Sequence, residues 1–358
     1  MSLINTEKPV IVLDERRCKR NIKRMAAKAE STGCRLRPHF KTHQSIEIGS
    51  WFKEAGIREI TVSSTGMASY FASAGWNNIT IAFPFFRQQL PALSRLENQA
   101  RLRLFVNSTD DLEFLNEDLA KPFEVIIEIN PGYGRSGIHF RDTDTIVKLI
   151  KTCRQLSKPK FHGFYVHDGR TYQANNKKEV KNIIDPTINI LNNLKGEFPG
   201  ASISLGDTPS ASVLDHFPGI DELTPGNFVF YDWMQTQIGS CNLDDVALFA
   251  LFPVAQYFRK ENRAIIHGGA THLSKDFVYT NGKQNYGHLL DISTSSVNSV
   301  DHSFVTALSQ EHGTISGLPD HFDKGLVWIC PIHSCLTANL YDHYITTEGR
   351  RIEKRILS

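Results

Sequence analysis

Cys34-Arg35-Leu36-Arg37-Pro38-His39-Phe40-Lys41-Thr42-His43 is a short β-rich run, Cys34 to Phe40, that ends on a lysine set among basic residues. In an extended chain successive side chains alternate between faces, so Arg37, His39 and Lys41 share one face and Pro38 and Phe40 take the other. A lone lysine is ordinarily a solvated surface residue. Three basic residues in register on one face are not what a purely structural strand needs. Desolvation and nearby cations both lower a lysine's pKa, which turns an inert ammonium into an amine able to condense with an aldehyde.

This run is the first of a series. Further β-rich stretches follow at Glu59 to Ser63, Asn78 to Phe83, Arg101 to Val106, Phe123 to Ile129, Lys160 to Val166, Ala201 to Leu205 and Glu222 to Tyr231. Between them lie amphipathic segments such as Ile46 to Ala55, Asp110 to Leu119, Thr145 to Leu156 and Lys178 to Leu194, with apolar residues recurring every three or four positions. Strand then helix, repeated, implies parallel pairing. An open doubly wound sheet and a closed (β/α)8 TIM barrel share that local pattern. Unusual polar residues decide between them, because they fall after several different strands: Lys41, Asn107, Asn130 to Gly137, His167 to Tyr172, Gly206 to Ser210, and Pro225 to Asn227. Loops after many strands converge on one site at the mouth of a barrel, whereas an open sheet concentrates its site at a switch point. The expected fold is therefore α/β, a barrel over 14–234.

From about Gln235 the helical rhythm fades. Strand-like stretches at Ala247 to Tyr257, Arg263 to Ile266, Val297 to Val305 and Leu326 to Cys330 predict a smaller C-terminal β domain over 235–358. The opening run Pro9 to Leu13, ahead of the barrel's first helix, is expected to pair with that domain and tie the two ends together, so 1–13 is counted with it. No internal repeat beyond the β/α alternation and no low-complexity linker is visible.

Composition agrees with this organisation. The chain has 358 residues and 41% apolar content, enough for a large core. Forty basic residues against thirty-eight acidic ones leave a net charge of +2, which indicates neither a nucleic-acid nor a membrane partner. The first fifteen residues carry only the short apolar stretch Val10 to Leu13, too short for a signal peptide or a membrane span, so a cytoplasmic location is expected. Six scattered cysteines lack the spacing of a secreted disulfide framework and, Cys335 apart, read as reduced core residues.

Three glycine-bearing loops carry possible chemistry. Gly206-Asp207-Thr208-Pro209-Ser210 follows a strand and precedes a helical segment, so its N–H groups and hydroxyls could hold a phosphate, although a plain turn with a helix cap reads the same way. Pro225-Gly226-Asn227 adds a second close backbone approach and leads to Tyr231, and late barrel loops are a common phosphate site. In Asn130-Pro131-Gly132-Tyr133-Gly134-Arg135-Ser136-Gly137 the glycines let the backbone double back and aim Arg135 inward, against the alternative of a surface turn with a solvated arginine. Near the end, Cys330-Pro331-Ile332-His333-Ser334-Cys335 places His333 and Cys335 two apart, on one face if extended. An imidazole and a thiolate suit Zn2+, but a structural zinc takes four ligands, and a buried cysteine beside a satisfied histidine is the plainer reading.

The string Arg37 to His43 closely resembles the pyridoxal phosphate lysine motif of the D-serine dehydratase and D-threonine aldolase family, a branch of the alanine racemase fold. Other pieces resemble that family in the expected order: Gly134 to Gly137, His167 to Tyr172, Gly206 to Ser210, Pro225 to Asp232, Gly268 to Thr271 with Ser274 to Asp276, Ser309 to Gly313, and Pro331 to Cys335. The likeness spans nearly the whole chain. It implies an alanine racemase N-terminal-like barrel with pyridoxal 5'-phosphate bound covalently at Lys41 beside His39. Gly206, Thr208, Gly226, Asn227 and Tyr231 would hold the phosphate, Arg135 and Tyr172 would contact polar atoms of the ring, and His167 would lie against it. His333 and Cys335 would bind zinc. A small D-amino acid is the implied substrate and a homodimer the implied assembly.

The chain also departs from the family. Gln44 follows His43 where many relatives have lysine, Asp168-Gly169-Arg170 replaces a smaller neutral stretch, and His267 and His272 stand where relatives often carry aspartate and a small or apolar residue. These differences touch the substrate rather than the cofactor. They could meet a second carboxylate, as in a 3-hydroxyaspartate, or adjust local packing, and the packing reading is preferred.

The cofactor would act as an electron sink that labilises bonds at Cα, and the freed lysine would be the base. Loss of a β-hydroxyl assisted by the metal gives a keto acid and ammonia, whereas deprotonating that hydroxyl gives glycine and an aldehyde. Aldolases of this family resemble one another in having aspartate at the second ligand position and dehydratases in having cysteine, so Cys335 favours the dehydratase. A racemase, with no metal and a second acid, and a non-catalytic cofactor carrier of barrel alone are the other readings, and the long segment after Tyr231 argues against the carrier.

Overall fold

The computed structural model describes residues 5–293, 296–319, 322 and 325–355. The chain divides into two compact units, Arg24–Gly226 and a second made of the residues up to Lys23 together with those from Asn227 onward.

The first unit is a parallel barrel. Its strands run, in spatial order, Arg35–Leu36, Glu222–Leu223, Ser202–Leu205, Pro159–Val166, Phe123–Asn130, Arg101–Phe105, Asn78–Pro84 and Ile60–Val62. A parallel bridge between His39 and Thr61 closes the ring, with Phe40 N–H donating to the Thr61 carbonyl (2.8 Å) and Thr61 N–H to that of Pro38 (3.0 Å). The expected (β/α)8 architecture is thus observed. Helices alternate with the strands because their starts are capped by side chains: Ser108 accepts from Asp111 N–H (3.1 Å) and Asn176 from Glu179 N–H (3.0 Å). Leu112 and Leu115, Leu149 and Ile150, and Val180, Ile184 and Leu191 are each buried at helical spacing.

Two expected strands are much shorter than the sequence implied. The first is regular only over Arg35–Leu36, because Pro38 has no N–H to donate and Phe40 to His43 turns away. The last is Glu222–Leu223 rather than Glu222 to Tyr231, since Pro225 and Gly226 interrupt it and Asn227–Val229 forms a 3-10 turn.

The barrel's interior holds charged side chains. Arg37 and Glu222, 0% and 1% exposed, pair at 2.8 Å, and Arg103 donates to Glu222 (3.1 Å) and Glu124 (2.9 Å). Arg103 and Glu222 stand four strands apart around the sheet, so this network crosses the inside. Arg37 also reaches Glu59 and the Asn78 side chain (3.0 Å). Arg37 is therefore committed to the floor and does not act on Lys41, which corrects the expectation that both serve one face.

The second unit is antiparallel. Arg263–His267, His312–Ser316, Val297–Leu308, Gly287–Ile292, Leu326–Pro331 and Leu248–Phe258 pair in that order, and Leu248–Phe258 returns to Arg263–His267 to close a small barrel. Ala250, Phe252, Ile266, Leu289, Val305, Ile315, Val327 and Ile329 fill it. Val10–Leu13 joins this sheet, as expected, antiparallel to Leu248–Phe258 and parallel to His343–Thr346. Among the described residues no helix is long and apolar enough to cross a membrane, and no disulfide joins the cysteines.

Candidate active site

The mouth of the parallel barrel gathers the sequence-predicted residues of that unit. Lys41 stands on the turn after the first strand and is exposed, not desolvated as expected, because the strand ends before it. Its backbone N–H points at His39 Nδ1 (3.4 Å). His39 is buried, and burial first, then the charges of Lys41, His167 and Arg135, hold its imidazole well below the usual range. His167 lies in the same field. Burial first, then Arg135 and Lys41, push it down to about 3, against the opposing pull of a hydrogen bond with the Gly206 carbonyl. Both rings are therefore neutral near pH 7, flat apolar-faced walls around an amine and a guanidinium.

Arg135 is placed by its loop. Asn130 Oδ1 accepts from the N–H groups of Gly132 (2.9 Å) and Gly134 (3.0 Å), both at positive φ, which folds the loop back on its strand. Arg135 then pairs with Glu128 (3.3 Å), and Ser136 donates to the same carboxylate oxygen (2.9 Å). Sequence reading missed Glu128. Its position inside the apolar run Phe123–Asn130, where a carboxylate needs a partner, was the available signal.

The late loops form a cradle. Thr208 N–H donates to the Tyr172 hydroxyl (3.2 Å), whose ring lies 6.0 Å from that of His167. Asp207 caps the short helix Thr208–Val213 through Ser210 N–H (2.7 Å) and accepts from Thr171 (3.0 Å). Thr208 Oγ1 and Ser210 Oγ are buried with no hydrogen-bond partner among the described residues. A Cβ on Gly226 would meet the His39 carbonyl at 2.9 Å and Thr42 Oγ1 at 3.0 Å, and one on Gly206 would meet the Tyr165 hydroxyl at 2.1 Å. Two orphaned hydroxyls beside a backbone that only glycine allows so close fit an anion such as a phosphate. Lys41 and Arg135 lie within electrostatic reach of the neutral His39 and His167 rings, with the Tyr172 ring beside His167, a set of residue types that suits a ring-shaped aldehyde.

The antiparallel unit carries the remaining residues. Asn227 donates to Asp232 (2.5 Å), Ser334 (3.1 Å) and Cys335 Sγ (3.7 Å). Asp232 also accepts from Ser334 N–H (2.9 Å) and is buried, with burial raising its pKa against the pull of His333. Tyr231 adopts a left-handed φ of 50°, its N–H closing the Asn227 turn at 2.8 Å. His333 Nδ1 lies 2.9 Å from Asp276, and its side chain is hydrogen bonded to Cys335. Burial pushes the His333 imidazole down, but Asp276, Cys335 and Asp232 outweigh it and hold it up at about 11. A lone imidazole facing a thiol and two carboxylates marks a place built for positive charge. The donor set fits a divalent zinc-class ion, with Asp276 as the carboxylate that orients the ligating ring. Asp276 and Asp232 lay within stretches that resembled the family but were not singled out.

The chain is similar to known proteins along nearly its whole length. The alanine racemase N-terminal domain model matches residues 13–232, and the D-ser_dehydrat model, a serine dehydratase domain, matches 247–347. The chain is 28% identical to the D-threo-3-hydroxyaspartate dehydratase of Delftia sp. (strain HT23), over 96% of this chain and 94% of that one. It is 26% identical to the D-serine dehydratase of Dictyostelium discoideum, over 95% and 93%. The solved Delftia structure superposes with a TM-score of 0.87 over 98% of each chain at 26% identity, and a cysteine-to-alanine variant of that enzyme, in the metal-free form, with 0.88 at 27% identity over 98% of each. The chain belongs to the alanine racemase-like family that includes the D-serine dehydratases and D-threonine aldolases.

Proposed function

We propose that this chain is a pyridoxal phosphate-dependent, zinc-assisted dehydratase of D-β-hydroxy amino acids such as D-serine, D-threonine or 3-hydroxyaspartate, releasing a 2-keto acid and ammonia. The observation that carries the reading is the His333–Cys335 pair with Asp276 on the far nitrogen of the imidazole. The relatives named as dehydratases support it.

When bound, the cofactor supplies an aldehyde for a covalent bond to an amine and an electron sink for bonds at Cα, and the metal supplies a Lewis acid. Lys41 would hold the cofactor, and its free amine would be the base that takes the substrate's Cα proton. His39, His167, Arg135 and Tyr172 would frame and orient the ring, Gly206, Thr208 and Gly226 would hold the phosphate, and the family resemblance gives Asn227 and Tyr231 the same role. Because His39 and His167 are uncharged, Arg135 and Lys41 carry the site's positive charge. His333 and Cys335 hold the metal, and Asp276 accepts from the His333 Nδ1–H to fix the tautomer that ligates through Nε2. Net loss of water across Cα–Cβ, then hydrolysis, gives the keto acid and ammonia. The assembly is a homodimer in the cytoplasm.

D-Serine, D-threonine and D-threo-3-hydroxyaspartate incubated with the holoenzyme are expected to yield keto acid and ammonia, with activity falling after chelation. Glycine and an aldehyde as main products would replace the dehydratase by an aldolase.

A further inference from the structure

The antiparallel unit holds a second group of ligand-type side chains, unused by the chemistry above. His267 ends the strand Arg263–His267, His272 lies in the helical turn Ala270–Leu273, and Glu311 sits in the tight turn before His312–Ser316. They are brought together by backbone. Gly268 N–H donates to the Glu311 carbonyl (2.9 Å), Ala270 N–H to that of Ser309 (2.8 Å), and Thr271 N–H to that of Gln310 (3.2 Å). Only glycine allows this approach, since a Cβ on Gly269 would meet the Gln310 carbonyl at 2.2 Å and one on Gly268 the Phe252 ring at 2.7 Å.

One potential ligand atom from each of the three side chains falls within 4.8 Å of the other two. Glu311 Oε2 lies 3.9 Å from His267 Nε2 and 3.8 Å from His272 Nε2. Both separations exceed hydrogen-bond length, so the carboxylate bonds directly to neither ring. They lie near the roughly 3.3–3.6 Å expected between neighbouring ligands that each stand about 2.0–2.2 Å from one zinc ion.

The next layer outward is in place as well. Thr271 Oγ1 donates to the Gln310 carbonyl (2.8 Å), which leaves it an acceptor for Nδ1–H of His272 at 3.3 Å. That tautomer presents the Nε2 lone pair to Glu311. Gly269 N–H, also 3.3 Å from Nδ1, favours the opposite tautomer when no ion is bound. Partial burial, which outweighs the charge of Glu311, lowers the His272 pKa and keeps the ring available as a neutral donor.

We propose that His267, His272 and Glu311 form a second divalent metal site, of the two-imidazole, one-carboxylate type suited to zinc and its neighbours. It differs from the His333–Cys335 pair in having no sulfur. Segment 267–276 carries both sites, since Asp276, the partner of His333, follows His272 by four residues; filling the new site stiffens the stretch that positions Asp276.

The test is cobalt and zinc titration of holoenzyme stripped of metal, read by metal analysis and by the sulfur-to-cobalt charge-transfer band. Two equivalents are expected in the unaltered protein, one with the sulfur band and one without. Glu311→Gln, a near-isosteric change on an exposed turn, is expected to weaken the sulfur-free equivalent at least about tenfold and leave the sulfur band intact. His267→Ala with His272→Ala removes that equivalent altogether, and Cys335→Ala removes only the other. If the unaltered protein takes up the sulfur-linked ion alone, or Glu311→Gln leaves the sulfur-free equivalent unweakened, the second site does not exist. Uptake of the sulfur-free ion alone would keep this site and overturn zinc binding at His333 and Cys335.

Discussion

At the floor of the parallel barrel, Arg37, Arg103, Glu124 and Glu222 satisfy one another through charge-assisted bonds of 2.8–3.1 Å. At its mouth, Thr208 Oγ1, Ser210 Oγ, one oxygen of Asp207 and one of Glu128 are buried with no partner among the described residues. Burial costs solvation in both regions; the floor offsets it with internal charge pairs, whereas these particular atoms of the mouth are left without a bond of their own. A closed network is what stability requires. An open one is a binding site waiting for its ligand, so substitutions at the two ends should fail in opposite ways.

Lys41→Ala should have the largest effect, lowering turnover by about 10^4-fold with the folded protein intact. Borohydride reduction and peptide mapping of the unaltered holoenzyme should place the pyridoxyl adduct on Lys41; an adduct elsewhere removes the basis of the proposed chemistry. Glu222→Gln leaves two buried arginines short of a counter-charge and should cost about 3 kcal/mol in denaturant unfolding, while the cofactor affinity of what remains folded stays the same. Loss of affinity without loss of stability there would erase the distinction between floor and mouth. Thr208→Val with Ser210→Ala should do the reverse, weakening pyridoxal phosphate binding by about 10- to 100-fold at near-constant stability. Asp276→Asn should weaken zinc binding by about 10- to 100-fold, measured by competition with a chelating dye.

Acid sharpens the contrast with the smallest effect. Burial lowers His167 at the mouth to about 3, and lowers His162 beside the floor and His288 in the other unit to about 4. The unfolded chain, with histidines near 6.5, binds protons first as the pH falls, so stability drops from about pH 6.5 towards 4. Glu222 is buried, yet Arg37 and Arg103 hold it down to about 2, so its contribution is present above its unfolded pKa near 4.5 and is lost as the pH falls from there towards 2. Melting temperatures at pH 7, 5 and 4 should decline in that order, and a flat profile would remove the buried neutral histidines from the account.

Much of this was legible in the chain, and unevenly. Strand and helix alternated clearly because the strands are short runs rich in β-branched and aromatic residues, while the helices repeat apolar residues every three or four positions on one face. The residues that follow strands stood out because polar residues there interrupt an apolar pattern. What escaped notice depends on contacts distant in sequence. Arg37 looked like a neighbour of Lys41, since nothing local shows that Glu222, 185 residues on, takes its charge. The exposure of Lys41 escaped for a related reason: the run looked extended through Phe40, and Pro38 was placed on the face opposite Lys41 rather than read as the end of the strand. Asp276 and Glu311 gain meaning only from the histidines that folding brings beside them.

The strand Val10–Leu13 lies between Leu248–Phe258 and His343–Thr346. On the ribosome it emerges more than two hundred residues ahead of either neighbour, so it must wait, unsatisfied, while the parallel barrel is synthesised and folds. Completion of that sheet is a late, long-range event, and high contact order makes such events slow. Until then Val10 to Leu13 is an exposed apolar ribbon and its two future neighbours are open edges, which makes nascent or shortened chains the form most exposed to aggregation and most dependent on chaperones.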